Sequence, residues 1–593
     1  MIEKMRKYSF VLYHLDYEEF LNKLQKLGMV HIVKNRDVST ELMQQQSELV
    51  AEYTETIKFL QKIKDPEEGS TNLPTKALLN KVKSAREQRD KLNRQFELVT
   101  KQIHELIPWG HFDRELAAKI EQSGIKIAYH TCLKNHFKQE WLEEYPIRII
   151  HEHFGIIYFA LLYTGINPSI EAESFSFHQH TLNELENQRK DIETQIADIN
   201  EFFRITAKTA ITAFTSEIDA ILQEYAYEDA LGQADDEADD HLKILMGWIP
   251  VSREKALKDF LDQEQIIHFS ADALADDNVP IKLRNNWFAR LFEPIAKLYM
   301  LPYYNEFDLT PMFAPFFMLF FGFCNADVAY GVIFLLIGLF LRFKAKNEAF
   351  KGYGMLIVVF GISSIIMGWV MGSILGYDMK KISGIGQTVL IRETGQIFNF
   401  ALLLGAIQIL FGKMVNTIKS IKQNGFKHGL APFGTFLFVF ALAIMGSTML
   451  GAPRTIAHVY APYVLYAGLA LVLLFNAPGK NVIINILGGI WVMYQVVTGF
   501  FGDILSYIRL FALGVSSSIL GFVMNSIAAN LLNIPIAGYV IFPIFMLFGH
   551  SLNLALGALS GFVHPMRLTF VEFFNNSGFA GPGLEYKPFG RQK

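Results

Sequence analysis

The pattern of hydrophobic and polar positions divides this chain into two halves. Up to about residue 300, apolar residues recur at short helical and strand spacings among many Glu, Lys and Gln residues. From residue 311 to residue 575 they form long runs, and about 20 consecutive apolar residues can cross a bilayer as a helix. The pattern therefore predicts a soluble N-terminal half followed by a membrane half with several spanning helices.

The first residues predict a small α/β unit. KYSFVLY alternates as a half-buried strand does, DYEEFLNKLQKLG has the spacing of an amphipathic helix, and MVHIV reads as a second strand. We expect further strands in KIAYHTCL, IIHEHFGIIYFALLY and KILMGWIP. The last of these would return the chain to a lobe near the membrane.

Two charged stretches have coiled-coil spacing. The seam of the first consists of apolar and long side chains that step by three and four: Val82, Ala85, Arg89, Leu92, Phe96, Val99 and Ile103. A second helical run follows later, with Leu185, Ile192, Ile196, Ile199 and Phe203. A more apolar segment between them, with strand-like pieces, indicates an antiparallel hairpin that carries a globular lobe at its far end.

The predicted fold class is an α-helical membrane protein with about eight transmembrane helices, the last two long and tilted, and an N-terminal α/β plus antiparallel coiled-coil cytoplasmic arm. We expect the arm at 1–308, with a membrane-proximal lobe at 1–35 and 233–308, a coiled coil at 36–105 and 176–232, and a distal lobe at 106–175. The membrane domain follows at 309–593.

Eight spans are predicted in the membrane half, at about 311–323, 326–343, 353–377, 397–416, 429–450, 459–476, 483–530 and 537–574. The first two are short. The last two are much longer than an upright crossing requires, so we expect them to tilt strongly or to project into water.

Basic residues predict the orientation of the spans. They follow the even-numbered spans: Arg342, Lys344, Lys346 and Lys351 after the second, Lys413, Lys419, Lys422 and Lys427 after the fourth, and Lys480 after the sixth. The loop NLLNIPIAG after span seven is uncharged. By the positive-inside rule the even-numbered loops and both termini are expected in the cytoplasm. Lys380, Lys381 and Arg392 run against this rule, but Asp378 and Glu393 lie among them.

Two further features favour a cytoplasmic arm. MIEKMRKYSF lacks the apolar core of a signal peptide. The chain has two cysteines in 593 residues, too few for a disulfide framework, so the soluble half is expected in a reducing compartment.

Arg509 is the most unusual residue of span seven, because apolar residues flank it on both sides. An arginine at the bilayer centre costs roughly 2.5–3.5 kcal/mol on insertion scales, and it cannot escape that cost by losing its proton. Such a residue predicts a function, against the alternative of an arginine that pairs to hold helices together. Small residues around it would let a helix or water approach: Ser506, Gly514, Ser516, Ser517 and Gly521.

Span eight carries a stripe of polar residues on one helical face, followed by Glu572. The gaps of 3, 7, 4 and 3 place its members on or near that face: His550, Asn553, Ser560, His564 and Arg567. A polar stripe in an apolar helix predicts a water-lined path.

The residues of both spans resemble a known family. SYIRLFALG and FVHPMRLTFVEFF are similar to the two arginine-bearing helices of the a subunit of V- and A-type ATPases, called subunit I in bacteria, and YMLPYYNEFDLTPMFAPFFMLFFGFCNADVAYG resembles that family's approach to the membrane. The resemblance implies that Arg509 faces a rotor ring and that Arg567 is its partner on the next helix. Departures are Leu309 in place of a frequent proline, Gly557 near a eukaryotic glutamate, and Gln495 near a carboxylate position.

The resemblance also implies the partners and the ion path. The partners would be a rotor ring of proteolipid subunits, peripheral-stalk helical subunits, a central-stalk rotor subunit, a catalytic ATPase head reached indirectly, and the lipid of a prokaryotic plasma membrane. From the direction of the two spans, Gln495, Asp503 and Glu572 are expected on the cytoplasmic side, and Ser517, Asn525, His550 and Asn553 on the outer side. We expect Gln408, Ser506, Ser560 and His564 to line the path as well.

Several functions are not favoured by the sequence. The net charge of −4 does not argue for nucleic acid, and no G-x-x-x-x-G-K-[ST] phosphate loop occurs, so nucleotide hydrolysis is assigned to partners, and no cofactor or metal is predicted. The alternative is a secondary transporter with a cytoplasmic regulatory arm, which predicts internal repeats and broken helices. The choice between protons and sodium ions, and between pumping and synthesis, stays open, since both depend on other subunits.

Overall fold

A computed structural model describes residues 1–590 apart from positions 37, 39, 68, 70–72, 111–113, 166, 167, 169, 178, 179, 238, 240, 275, 276, 346, 382–388, 449–452 and 480. Lys346 and Lys480, used above for orientation, lie outside the described residues. The chain forms two compact units. The first comprises Met1–Tyr17, Leu27–Val33 and Asp235–Phe589, and the second comprises Glu18–Lys26 and Lys34–Ala234 with the last four residues.

The first unit contains a five-stranded antiparallel sheet built from both ends of the soluble half. Its strands are β1 (Met5–Tyr13), β2 (His31–Ile32), β7 (Asp235–Glu237), β8 (Leu242–Pro250) and β9 (Ile267–Asp272), ordered β2-β8-β1-β9 with β7 also on β8. Strand β1 pairs with β8 from Met5↔Pro250 to Tyr13↔Leu242. The predicted strands KYSFVLY and KILMGWIP are thus confirmed and are neighbours. Short helices α7 (Glu254–Gln263), α8 (Trp287–Arg290) and α9 (Glu293–Tyr299) lead toward the membrane half.

In the described part of the chain, eight helices lie at the positions of the predicted spans. They are α10 (Thr310–Cys324), α11 (Val328–Lys344), α12 (Glu348–Met371), α13 (Thr394–Asn424), α14 (Phe426–Ser447), α15 (Ile456–Phe475), α16 (Val482–Leu531) and α17 (Ala537–Arg567). Among the described residues, six helices from α12 onward are long and apolar enough to cross a membrane, and α10 is a shorter apolar helix. Helix α12 begins and ends earlier than the predicted span 353–377, and a hairpin of β10 (Ser373–Ile374) and β11 (Tyr377–Asp378) follows it.

Glycines allow the membrane helices to approach each other closely. A Cβ atom on Gly338 of α11 would lie 2.7 Å from the carbonyl oxygen of Gly354 on α12. The same relation joins Gly434 of α14 to Gly468 of α15, at 2.8 Å. Close contact between backbones favours helix association in lipid, where burial of apolar surface gives no driving force.

The chain after α17 returns to the sheet of the first unit. A π-helix (Leu568–Phe573) and a short helix α18 (Phe574–Asn576) end the membrane helices. The tail then pairs with Ile281, whose amide donates to Leu584 O at 2.7 Å and whose carbonyl accepts from Tyr586 N at 3.0 Å. Phe589 N donates to Val30 O at 2.7 Å. The sequence did not predict this docking of the tail.

The second unit contains three long helices and α1 (Tyr17–Leu27), the helix predicted in DYEEFLNKLQKLG. The helices are α2 (Glu41–Leu60), α3 (Thr75–Leu106) and α6 (Leu182–Leu231). Residues of all three form one apolar core, which includes Tyr53, Val82 and Phe203. A smaller cluster joins Ile103 and Leu106 of α3 to Leu185 at the start of α6. The end of α3 therefore packs beside the start of α6, as in an antiparallel pair.

A separate sheet lies between α3 and α6 in the sequence. Its strands β3 (Lys126–Leu133), β4 (Ile147–His153), β5 (Ile156–Tyr163) and β6 (Glu173–Phe175) have the order β4-β5-β3-β6, with helices α4 (Arg114–Gln122) and α5 (Glu140–Glu144) beside them in the chain. This confirms the strands predicted in KIAYHTCL and IIHEHFGIIYFALLY. Trp141 and Phe159 belong to its apolar core.

Candidate functional site

Arg509 and Arg567 are two cations of the last helices that have no bonded partner in the described part of the chain. Arg509 is half-buried on α16, and Arg567 is exposed at the end of α17. Among the residues that the structure describes, neither guanidinium has a hydrogen bond or an ion pair, although both act electrostatically on His564. A cation in an apolar helix that pairs with nothing in its own chain is available to an anion of another subunit.

The helix changes its winding directly after Arg567. Leu568–Phe573 form a π-helix that contains Thr569 and Glu572. Each extra residue in such a turn rotates the following side chains by about 100° relative to a regular α-helix. Glu572 consequently turns inward and is 3% exposed. Pro565, which lacks an amide proton, lies just before this segment.

Asp503, Glu572 and Asn576 form one polar cluster, which we call the Asp503 cluster. Asn576 Nδ2 donates to Asp503 Oδ2 at 2.7 Å and to the carbonyl oxygen of Glu572 at 2.8 Å. The Lys413 ammonium of α13 and the Glu572 carboxylate both act electrostatically on Asp503. Glu572 Oε2 and Thr569 Oγ1 are buried without a hydrogen-bond partner among the described residues. Buried polar atoms of this kind are normally satisfied by water.

Gln408 and Tyr507 lie beside this cluster. The Tyr507 hydroxyl donates to Gln408 Oε1 at 2.6 Å, and both side chains are fully buried. Ser506, its neighbour on α16, is 7% exposed. Gln408 of α13, predicted to line the path, is thus directly connected to the helix that carries Arg509.

A second polar cluster, the His550 network, lies at the other end of α16 and α17. His550 Nε2 lies 2.9 Å from Asn525 Oδ1, and its Nδ1 lies 2.7 Å from the Tyr330 hydroxyl. Asn553 Nδ2 donates to that hydroxyl at 3.0 Å and to Ser517 O at 3.1 Å. The network joins α11, α16 and α17.

Asp327 binds the β10–β11 hairpin, which in turn contacts the His550 network through Asn525. Its buried carboxylate caps α11 through the amides of Ala329 and Tyr330, and accepts from Leu375 N at 2.9 Å and from Gly376 N at 3.0 Å. The Ser373 hydroxyl also donates to it, at 3.0 Å. Leu375 O in turn accepts from Asn525 Nδ2 at 2.6 Å.

Gly376 has to be a glycine for this contact. Its φ is +72°, and a Cβ atom would collide with the backbone of Gly521 on α16. The hairpin turn therefore lies directly against the helix that carries Arg509.

Some of the predicted site residues belong to the Asp503 cluster or to the His550 network, and others belong to neither. Gln495 is exposed on α16, about 21 Å along the helix from Arg509 at about 1.5 Å per residue. Ser560 and His564 are half-buried on α17, and His564 Nδ1 has no partner among the described residues. Ser517 contributes its carbonyl oxygen. At Gly557 a Cβ atom would lie 2.5 Å from Asn325 Oδ1, so the side chain of Asn325 fills that place.

Several residues of the clusters were not predicted as site residues: Asn325, Asp327, Tyr330, Tyr507, Thr569 and Asn576. Asn325 and Asp327 carried a signal, because polar and ionisable residues inside an apolar segment indicate function by default. Tyr507 and Asn576 carried none, since their importance depends on helices far away in the sequence. Among the described residues, no group of three or more His, Cys, Asp or Glu side chains could hold a metal ion.

Known proteins resemble the chain over most of its length. "V-type ATP synthase subunit I" of Borreliella burgdorferi is 28% identical over 510 residues, which are 82% of this chain and 82% of that protein. "A-type ATP synthase subunit I" of Methanocaldococcus jannaschii is 27% identical over 69% of this chain and 63% of its own length. "V-type ATP synthase subunit I 1" of Treponema pallidum is 23% identical over 99% of this chain and the whole of that protein.

Two other comparisons add little. No protein-family model matches the chain. A solved cytoplasmic N-terminal domain of subunit I, homolog of subunit a, of V-ATPase aligns with 45% of the chain and all of that domain, at 14% identity and a TM-score of 0.23. By these similarities the chain is a homologue of proteins named subunit I of V-type and A-type ATP synthases.

Proposed function

We propose that this chain is the stator subunit of a rotary V/A-type ATPase, which provides the ion half-channels and the arginine that faces the rotor ring. The observation that carries the proposal is Arg509: a half-buried guanidinium without a partner among the described residues, on an apolar helix between two polar clusters. It belongs to a homologue of subunit I of ATP synthases. The ring would be built of proteolipid subunits that each carry a carboxylate.

The two clusters provide offset access paths on either side of Arg509. Asp503 lies about 9 Å and Asn525 about 24 Å from Arg509 along α16, in opposite directions, at about 1.5 Å per residue. On the antiparallel helix, Glu572 falls at the Asp503 end and His550 at the Asn525 end. Among the described residues, the hydrogen bonds of neither cluster extend past the arginine. An ion that enters one path therefore has to be carried to the other by the ring.

Arg509 drives the exchange of the ion. A ring carboxylate is neutral in lipid, because a charge there lacks solvation. Beside Arg509 the ionised carboxylate gains a cation, so the ion leaves. The fixed charge of Arg509 also repels cations that would cross directly between the paths. Arg567 supports the same region from α17.

The Asp503 cluster belongs to the cytoplasmic path in this proposal, and the His550 network to the outer path. The tail after α17 pairs with Ile281 and Val30 of the N-terminal half, which supports placing both termini on one side of the membrane. Basic residues at the ends of α11 and α13 favour the cytoplasm for that side: Arg342, Lys344, Lys419 and Lys422. The membrane would be a prokaryotic plasma membrane.

Residues 1–308 would form the arm that anchors peripheral-stalk helices, and residues 309–593 the membrane domain. A stator has to resist torque. Helices of 32 and 50 residues that pack along a shared apolar core are suited to that load. The catalytic head and the central stalk would belong to other subunits, and this chain would not hydrolyse nucleotide.

Purification of the chain from its native membrane tests the proposal. We expect a proteolipid ring and an ATPase head to copurify with it, and ATP to drive ion uptake into vesicles that contain the complex. A chain that purifies alone and exchanges small solutes would instead be a secondary transporter with a regulatory arm, and the proposal would be wrong.

A further inference from the structure

The hydrogen bonds of the His550 network determine which nitrogen of the imidazole carries the proton. Asn525 Nδ2 donates to Leu375 O, so Asn525 Oδ1 faces His550 as an acceptor. The neutral imidazole therefore donates from Nε2 to Asn525, and its basic nitrogen is Nδ1. Nδ1 accepts from the Tyr330 hydroxyl, at 2.7 Å.

We propose that Tyr330 and His550 form the proton-loading site of the outer access path, and that the ion carried by this protein is consequently the proton. The inference rests on the stator function proposed above. Among the described residues, the group bonded to Nδ1 is the Tyr330 hydroxyl, so a proton passes to Nδ1 through that hydroxyl. In loading, a hydronium ion that reaches the buried Tyr330 from the outer side gives its proton to the phenol oxygen while the phenol gives its own proton to Nδ1. The products are water, neutral tyrosine and imidazolium, and release is the reverse.

The surroundings of the pair fit the passage of protons rather than of sodium ions. Sodium requires several oxygen ligands in place of its water, whereas the described groups within hydrogen-bond distance of His550 are one hydroxyl and one amide. Asp327 is the carboxylate that faces the pair, and it is occupied by five donors. Asn553 Nδ2 donates a 3.0 Å hydrogen bond to the phenol oxygen of Tyr330.

Tyr330→Phe removes the hydroxyl that faces His550 Nδ1 and keeps the aromatic ring of the side chain. In vesicles that contain the intact complex, we expect this variant to slow the initial rate of ATP-driven proton uptake at least tenfold at equal amounts of assembled complex. His550→Gln should do the same. The matched control is Tyr466→Phe on α15, where the hydroxyl has no hydrogen bond among the described residues; it should pump at the wild-type rate.

The dependence on the pH of the outer compartment separates proton loading from a structural role. Lower pH there keeps His550 loaded and opposes release, so wild-type uptake should fall as the vesicle lumen is acidified between about pH 8 and 5. The residual uptake of His550→Gln should fall less than that of wild type over that range. If His550→Gln does not assemble, Tyr330→Phe, which preserves the packing of the ring, decides the question.

Two outcomes would overturn the inference: uptake by Tyr330→Phe within twofold of wild type, or ATP-driven uptake of ²²Na⁺ at the rate measured for protons. Arg509→Ala is measured in parallel. Its activity shows whether the proton-loading site alone is refuted or the stator function as well. Normal pumping by Arg509→Ala would refute the stator function. An inactive Arg509→Ala beside a normal Tyr330→Phe would refute the proton-loading site alone.

Discussion

The Tyr507 hydroxyl donates a 2.6 Å hydrogen bond to Gln408 Oε1, and this bond ties α16 to α13 two residues before Arg509. The ring of Tyr507 lies against Gly405 of α13, where a Cβ atom would collide with it. The position of Arg509 thus depends on a glycine in another helix, about 100 residues earlier in the chain.

Gly405→Ala should therefore destabilise the membrane domain. An added methyl group in a packed core typically costs about 1–3 kcal/mol, and here it would displace Tyr507 and with it the helix of Arg509. We expect a lower temperature of thermal unfolding in detergent and less ion pumping. Gly395→Ala on the same helix has nothing within 4 Å of the new methyl group and should match wild type. Equal unfolding temperatures for the two variants would show that the Tyr507 contact is unimportant.

The antiparallel pairing of the arm predicts which cysteines form a disulfide. Val99 packs against the cluster of Ile103, Leu106 and Leu185, whereas Val82 belongs to the core around Phe203. On oxidation, the double variant Val99→Cys/Leu185→Cys should crosslink more readily than Val82→Cys/Leu185→Cys. Cys132 and Cys324 are buried and should contribute little. The opposite order, measured by mass spectrometry of peptides, would contradict the pairing.

The predicted orientation can be measured with thiol reagents that do not cross membranes. Asn533 and Asn424 are both exposed, in the loop after α16 and at the end of α13. In intact cells Asn533→Cys should react with a reagent added outside, and Asn424→Cys should react only after the cells are permeabilised. The reverse labelling would invert the orientation and exchange the two access paths.

The N-terminal sheet should lose part of its stability in acid. Hydrogen bonds from Lys258, followed by the effects of Tyr8 and Arg6, hold the pKa of Glu254 below its usual value. A carboxyl whose pKa is lowered by folding stabilises the fold above its unfolded pKa, and that contribution is lost as the pH falls through the folded value. Glu254→Gln should therefore speed hydrogen exchange in β1 at pH 7, and should differ less from wild type below about pH 4. A difference that does not change with pH would contradict this role.

The sequence predicted the elements of this fold better than their contacts. Alternation in KYSFVLY and the long apolar runs indicate a strand and spanning helices because both depend on local period alone. The pairing of Ile281 with Leu584 and Tyr586, far apart in the chain, has no local pattern. Neither does the π-helix after Arg567.

The site residues, too, could be predicted from local sequence context but not from contacts between distant segments. Arg509 and His550 stand out in apolar segments, since charged and polar groups there are costly and are kept for a function. Tyr330 does not stand out, because tyrosine is common in membrane helices. Its role depends on the meeting of α11 with α16 and α17, through His550 and Asn553.

Arg509→Ala is the most direct test of the proposal that Arg509 faces the rotor ring. Its ion uptake should be compared with that of Arg509→Lys and Arg567→Ala in vesicles with matched amounts of assembled complex. Arg509→Ala removes the fixed cation, so we expect ATP-driven ion uptake to fall about a hundredfold or more, the scale on which loss of one preorganised group acts, while the complex still assembles. Arg509→Lys should rescue little, because lysine lacks the planar fork and loses its proton more readily. Arg567→Ala should be milder. Uptake near the wild-type rate by Arg509→Ala would contradict the assignment of Arg509 and the mechanism built on it.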